Sequence, residues 1–244
     1  MSDVNIHLLP PWPPGELLAL PEEKAHHALH VQRLAAGAAV RLFDGAGNVA
    51  DGVFEPMGKR GAGVRVTGQS RRCATAVHPL ELILALPRHE TMDTVIRQVC
   101  ELGVARLHPV ISERTVVPSR VARQKAAHWN KVMIAACEQS GRASFLAIEP
   151  ARTLDEALTR DFGLARRLFF WEETPAGYAP WSIAPGQPVV AAVGPEGGWS
   201  AAEAEAFAAA GFVTHSLGEL ILRVDTAVTT IAAIAIHHQR TPAL

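Results

Sequence analysis

Residues Leu80-Glu-Leu-Ile-Leu-Ala-Leu86 form a nearly continuous apolar run, far too short to span a bilayer. A run of that kind reads as a strand buried on both faces, and such a strand needs helices on either side of its sheet. The chain beyond it keeps this alternation. Met92, Val95, Ile96 and Val99 recur at helical spacing, and Gly103 is a natural C-cap for that helix. The pattern then predicts a strand from Leu107 to Ile111, a long helix from about Ser119 to Gln139, and strands at Leu168–Trp171 and Val189–Val193. A glycine-rich loop follows. The next helix opens on Ser200-x-x-Glu203, a capping box, and stops at Gly211. Strand Phe212–Leu217 and a helix to about Gln239 close the series. The expectation is an α/β fold with a mostly parallel sheet.

The first part of the chain reads differently. Val40-Arg-Leu-Phe and Val49-Ala-Asp-Gly-Val-Phe flank Asp44-Gly45-Ala46-Gly47-Asn48, a strong turn signal. Gly63-Val-Arg-Val-Thr alternates apolar and polar, as a half-buried strand does. Glu22 to Leu34 reads as a short helical stretch. A small barrel with one helix is expected, with the boundary in the polar, basic stretch Gly68–Thr75, giving domains 1–74 and 75–244.

Net charge is -1, so the whole molecule is no general attractor of polyanions. Its bases are clustered, however. Lys59, Arg60, Arg65, Arg71 and Arg72 form one acid-free stretch, and Arg114, Arg120, Arg123, Lys125 and Lys131 another. Both suit a polyanion held on one face, and both also suit ordinary solvated surface. Cys73, Cys100 and Cys137 are odd in number and widely spaced, which fits a reducing cytosol better than a disulfide framework or a zinc ribbon. The N-terminus shows no basic segment followed by an apolar one, so no secretory leader is expected.

Three stretches carry candidate chemistry. Val193-Gly-Pro-Glu-Gly-Gly-Trp-Ser200 sits where a strand ends and a helix begins, the usual ligand edge of an α/β sheet. Its glycines allow close backbone approach; the plainer reading is a tight turn and a helix cap. It matches neither a dinucleotide fingerprint nor a P-loop. Leu217-Gly-Glu-Leu-Ile-Leu-Arg-Val-Asp-Thr-Ala227 also runs from strand end to helix start. Arg223 there can hold a phosphate or a developing oxyanion, while Asp225 or Thr226 can equally be just an N-cap. Ala135-Ala-Cys-Glu-Gln-Ser-Gly-Arg142 closes the long helix, and a simple Glu138–Arg142 ion pair is its plainer reading. His26 with His30, and His237 with His238, lack a third ligand, so no metal site is expected. No G-x-S-x-G nucleophile motif is present.

Taken together and in order, these stretches resemble the ribosomal small-subunit uridine N3 methyltransferase family. The matching segments are Gly194–Gly198, Ile221–Ala227 after Leu217-Gly218, Glu101–Val104, Cys137–Arg142, and His27-Ala-Leu-His-Val-Gln-Arg33 near the start. The sequence departs from the family pattern at Gln32, Gln98 and Val224-Asp225, and Met1 to Ile6 carries no arginine. The resemblance implies a PUA-like RNA-binding β-barrel at 1–74. It implies a SPOUT α/β domain at 75–244, whose trefoil knot binds S-adenosylmethionine and which pairs as a homodimer. By this likeness Gly194, Pro195, Glu196, Gly197 and Gly198 line one wall of the cofactor pocket. Leu217, Gly218, Ile221, Leu222 and Arg223 line the other.

The implied reaction is methyl transfer to N3 of a uridine in 16S rRNA of the small ribosomal subunit, in the cytoplasm. Neutral N3 is a poor nucleophile. Its proton must leave, and the charge that then spreads onto O2 and O4 needs a fixed cation, for which Arg223 is the candidate. Glu138, Glu196 and Asp225 are the candidate proton acceptors, and bulk water is an alternative. Because N3 lies on the Watson–Crick edge, the uridine must be unpaired or extruded. Arg33, Arg71, Arg72 and Arg142 are the candidate RNA contacts. Two other readings stay open: a SPOUT enzyme acting on another target such as a ribose 2′-hydroxyl, and a non-catalytic RNA-binding protein.

Overall fold

A computed structural model describes residues 4–58, 61–73, 77–117, 120, 124–174 and 181–240. Lys59, Arg60 and Arg123 of the basic stretches lie outside the described residues. So do the boundary near Thr75 and the expected start of the long helix at Ser119. The contacts divide the chain into two compact units, Met1–Ala76 with Ile134–Phe145, and Val77–Met133 with Leu146–Leu244. The second unit therefore departs from a continuous 75–244 stretch, because residues 134–145 cluster with the first.

The first unit is a six-stranded sheet. Strands β1 (Val4–His7), β3 (Ala39–Phe43), β4 (Asn48–Met57), β5 (Gly61–Val66) and β2 (Leu17–Ala19) lie side by side in that order, and β6 (Arg71–Arg72) pairs with β4. The β3–β4 hairpin closes where the turn signal predicts. Asp44 Oδ1 accepts the N–H groups of Ala46 at 2.7 Å and Asn48 at 3.0 Å. The core gathers Trp12, Val40, Leu42, Phe54 and Val64. The helical stretch is shorter than expected and changes pitch. Helix α1 spans Glu22–His26, a π-helical turn spans His27–Val31, and Arg33 follows at φ 53°.

The tail of the long helix serves this unit. Glu138 Oε1 accepts the backbone N–H of His7 at 2.9 Å and the ammonium of Lys24 at 2.6 Å. Its carbonyl accepts Asn5 Nδ2 at 3.2 Å. Gly141, at φ 74°, ends the helix, and Arg142 turns inward with only 3% exposure. Its Nε donates to the Ser144 carbonyl at 2.6 Å. Both side chains thus hold the first unit's own structure, Glu138 through β1 and Lys24 and Arg142 through the turn after the helix.

The second unit is an all-parallel sheet in the order β10 (Arg152–Thr153), β8 (Val104–Ile111), β7 (His78–Ala85), β12 (Val189–Val193), β11 (Arg166–Phe170) and β13 (Val213–His215), with β9 (Ala147–Ile148) also on β8. Helices α2 (His89–Glu101) and α6 (Val224–Arg240) contact each other, and α6 also contacts β7 and β12. Helix α4 (Leu154–Leu158) packs on β8 and on α5 (Ala201–Ala209), while the long helix α3 covers Ala126–Ser140. Ile83, Ala85, Val190, Ala192 and Phe169 form one core layer with Trp199, Phe207 and Phe212. The double burial expected of 80–86 is thus met.

Between the adjacent strands β7 and β8, Glu81 Oε2 lies 2.6 Å from Nε2 of the buried His108. That hydrogen bond holds the Glu81 carboxyl below its ordinary range, against burial, which pushes it up. A depressed acid stabilises the fold above its unfolded-chain value and loses that contribution as pH falls through the folded value. Glu81→Gln should therefore flatten the fall of the urea midpoint with acidification. An unchanged slope would remove this pair from the acid response.

Candidate functional site

All the strands of the second unit point their carboxyl ends the same way, and a cavity of about 860 Å³ opens at the ends of three of them. Strand β12 delivers residues 194–198. The tail of β11 supplies Phe170, Trp171 and Glu172, and the segment after β13 supplies residues 216–223. Arg88, Glu90, Thr91 and Thr94, at the start of α2, complete the wall.

The glycine loop is shaped from below by Trp199. That side chain is fully buried, with ring centroids 5.9 Å from Phe169 and 5.0 Å from Phe207. A Cβ on Gly194 would stand 3.1 Å from Trp199 Nε1, so the loop lies directly on the indole. Gly198 N donates to the Pro195 carbonyl at 2.9 Å, closing a turn with Gly198 at φ 69°. The capping box foreseen at Ser200 and Glu203 forms in both directions. Glu203 also reaches beyond its helix, because its Oε1 accepts Glu113 N at 2.8 Å. Arg114 Nη1 donates to the Gly197 carbonyl at 2.9 Å, and Arg88 N to Glu196 Oε1 at 3.0 Å. These contacts fix the loop's shape from both sides, as a preorganised binding surface requires.

The second wall is more open. Ser216 Oγ donates to the Gly218 carbonyl at 2.9 Å, making a small turn. Leu220 and Ile221 are 82% and 87% exposed at the rim. Helix α6 begins at Val224, and Ala227 N donates to the Arg223 carbonyl at 2.8 Å. Asp225 therefore sits in the first turn of α6, and neither it nor Thr226 is the N-cap. Arg223 is exposed at the cavity edge, and its guanidinium has no partner among the described residues.

The sequence-derived candidates fall into two groups. Gly194, Pro195, Glu196, Gly198, Leu217, Gly218, Ile221, Leu222, Arg223 and Asp225 line this one cavity. Gly197 sits in the same loop, facing Arg114. Glu138 is not among the lining residues. Of the candidate RNA contacts, Arg33 and Arg72 are exposed, Arg71 pairs with Asp51 at 2.7 Å, and Arg142 is buried. Sequence reasoning missed Glu172, Arg88 and Glu90. The signal for them was the position of each just past a strand end, where ligands of parallel sheets bind.

The cavity's charge has a sign. Glu90, Glu172, Glu196, Glu219 and Asp225 line it against Arg88 and Arg223, which favours a ligand carrying positive charge. Among the described residues no group of three His, Cys, Asp or Glu side chains is placed to hold a metal ion. No helix among them is long and apolar enough to cross a membrane.

One further feature shows how tightly the loop is fitted. A Cβ on Gly198 would collide with the Glu172 carboxylate, and the positive φ itself costs a side chain about 1–2 kcal/mol. Gly198→Ala should weaken ligand binding in this cavity about tenfold, read by calorimetry. Unaltered affinity would show that the loop tolerates displacement.

An RNA methyltransferase domain model matches residues 75–236, and an RNA methyltransferase PUA domain model matches residues 20–67. The ribosomal RNA small subunit methyltransferase E of Synechocystis sp. is 29% identical over 221 residues, covering 88% of this chain and 71% of the relative. The protein of that name from Bacillus subtilis is 25% identical over 217 residues, covering 84% of each. Among solved structures, the ribosomal RNA small subunit methyltransferase E of Neisseria gonorrhoeae bound to S-adenosyl methionine superposes with a TM-score of 0.83, at 29% identity and 96% coverage of both chains.

Proposed function

Since this chain belongs to the family of RNA methyltransferases that includes the ribosomal RNA small subunit methyltransferases E, we propose that it methylates N3 of a uridine in 16S rRNA, with S-adenosylmethionine as donor. The observation that carries this reading is the convergence of residues 194–198 and 216–223 on one acid-rich cavity. The residues present fit the cofactor. The cavity is within the usual range of small-molecule sites, Gly194 and Gly198 offer bare backbone, and the five acidic groups suit a cationic molecule. Bound there, S-adenosylmethionine supplies an electrophilic methyl group. The trefoil threading implied by the sequence resemblance belongs to the same proposal, supported by the return of 216–223 to the glycine loop.

The chain's own residues do the rest. The exposed Arg223 guanidinium receives the negative charge that develops on O2 or O4 as N3 loses its proton. Glu196 and Asp225, both lining the cavity, are the acceptors within the site. Glu196 already takes one N–H from Arg88, which orients its carboxylate. Residues 1–74 are the RNA-binding domain in this reading, with Arg33 and Arg72 as its phosphate contacts. The exposed Leu220 and Ile221 suit burial by a second copy, so the working unit is a homodimer. An rRNA substrate places the protein in the cytoplasm.

Calorimetry with S-adenosylmethionine tests the carrying observation. Saturable binding is expected; a non-catalytic RNA-binding protein with a dead site would bind none. RNA affinity should also fall linearly on a log–log plot against salt, with a slope of roughly -0.7 to -0.9 per phosphate neutralised. A flat response would remove the arginines from the RNA face.

A further inference from the structure

The same strands that carry the cofactor cavity at their carboxyl ends carry a second concavity at their amino ends. It measures about 300 Å³, its lining includes Leu164, Arg166, Arg167, Gln187, Gly211 and Val213, and no acidic side chain lines it. Arg167 Nη1 donates to the Ala210 carbonyl at 2.7 Å. Arg166 is different. Its Nε is buried, with no acceptor among the described residues. Its guanidinium lines the recess together with that of Arg167, and two such groups with no acid between them suit an anion with several oxygens. Asp161, in the adjoining turn, is occupied by the N–H of Gly163 at 2.7 Å. Leu164 stands 95% exposed on the rim, an apolar surface beside the charged one.

The position of this recess says where such an anion comes from. Strand β13 is the edge of the sheet, and its Val213 and Thr214 are exposed. Val213 lines the recess and Ser216 lines the cofactor cavity. They are three residues apart, about 10 Å along a strand. A chain of phosphates passing this edge can thus touch both sites at once.

We propose that the Arg166–Arg167 recess is a phosphate-binding site, and that it takes a backbone phosphodiester of the RNA whose target base enters the cavity at the other end of β13. This rests on the RNA-methylating reading above and adds a grip on the catalytic unit itself, separate from the arginines of the first unit. Arg166 and Arg167, both lining the recess, supply its positive charge, and Leu164 packs against the adjoining sugar or base.

The test uses the full-length protein and the variants Arg166→Gln and Arg166→Lys. Inorganic phosphate titrated into labelled protein should shift the backbone resonances of Gly163 and Gly211 in the wild type and leave Arg166→Gln unmoved. RNA affinity of Arg166→Gln should fall about tenfold, and its salt slope should shrink by roughly 0.7, the share of one single-strand phosphate. Arg166→Lys keeps the charge and drops the planar guanidinium, so it should retain the slope while losing affinity. S-adenosylmethionine binding should be unchanged in both variants, which separates this outcome from misfolding and from failure of the methyltransferase reading. Phosphate shifts with unaltered RNA affinity would overturn the RNA source and assign the site to a free oxyanion. No phosphate response together with unaltered RNA affinity would overturn the proposal.

Discussion

Arg223→Ala is expected to lower the turnover of methyl transfer by about 10²–10³-fold while leaving the melting temperature unchanged. The size follows from the role. A single donor aimed at developing charge contributes on the order of 3–4 kcal/mol once the bound cofactor and RNA close over the cavity edge and exclude water from it. The fold should be indifferent, since Arg223 is exposed and its guanidinium has no partner among the described residues. Only its backbone carbonyl is used, at the first turn of α6. The loss should fall on kcat more than on the affinity for S-adenosylmethionine. Rising pH should rescue the variant more than the wild type, because bulk hydroxide then drives the loss of the N3 proton that the guanidinium otherwise favours by stabilising the anion. Turnover within a few-fold of wild type would end the assignment of Arg223 as the charge-stabilising group.

The second large effect is expected at Trp199, which no ligand need touch. Trp199→Ala should destabilise the protein by about 3–5 kcal/mol, the usual range for removing a fully buried tryptophan. It should also weaken S-adenosylmethionine binding, because Gly194 rests on the indole and would lose its floor. Trp199→Phe separates the two functions of the ring. It keeps an aromatic group between Phe169 and Phe207 and removes Nε1, a buried donor without an acceptor. That variant should cost less than about 1.5 kcal/mol. Thermal unfolding by calorimetry, together with cofactor titration, reads both. If Trp199→Ala bound cofactor as wild type does, the loop would owe its shape to Arg88, Arg114 and Glu203 alone.

These two residues also show what a sequence can and cannot disclose. Arg223 was legible because it stands between a strand and a helix in a recurring pattern, and the reading from the residues agrees with its place in the cavity. The Ser200–Glu203 box was legible because its chemistry is local, three residues apart. The doubly buried strand at 80–86 was legible from hydrophobicity alone. Trp199 and Glu172 were not singled out, since their importance arises from partners far away in the chain. Trp199 matters through Phe169 and Gly194, and Glu172 through Gly198.

The contacts of Glu138 and Arg142 were hidden for the same reason. Their spacing suggested a local ion pair, and the family likeness suggested function. Yet Glu138 ties down β1 and Lys24, more than a hundred residues earlier in the chain. Strands β6, β9 and β10, of two residues each, have no periodicity to read and exist only through their neighbours. The change of pitch at His27–Val31 likewise has no sequence signature.

The most direct measurement is transfer of an isotope-labelled methyl group from S-adenosylmethionine to small-subunit rRNA taken from cells that lack this protein, followed by digestion to nucleosides and identification of the labelled one. The account predicts N3-methyluridine as the single labelled nucleoside. A label on a ribose 2′-oxygen or on another base, or no transferred label at all, would contradict it.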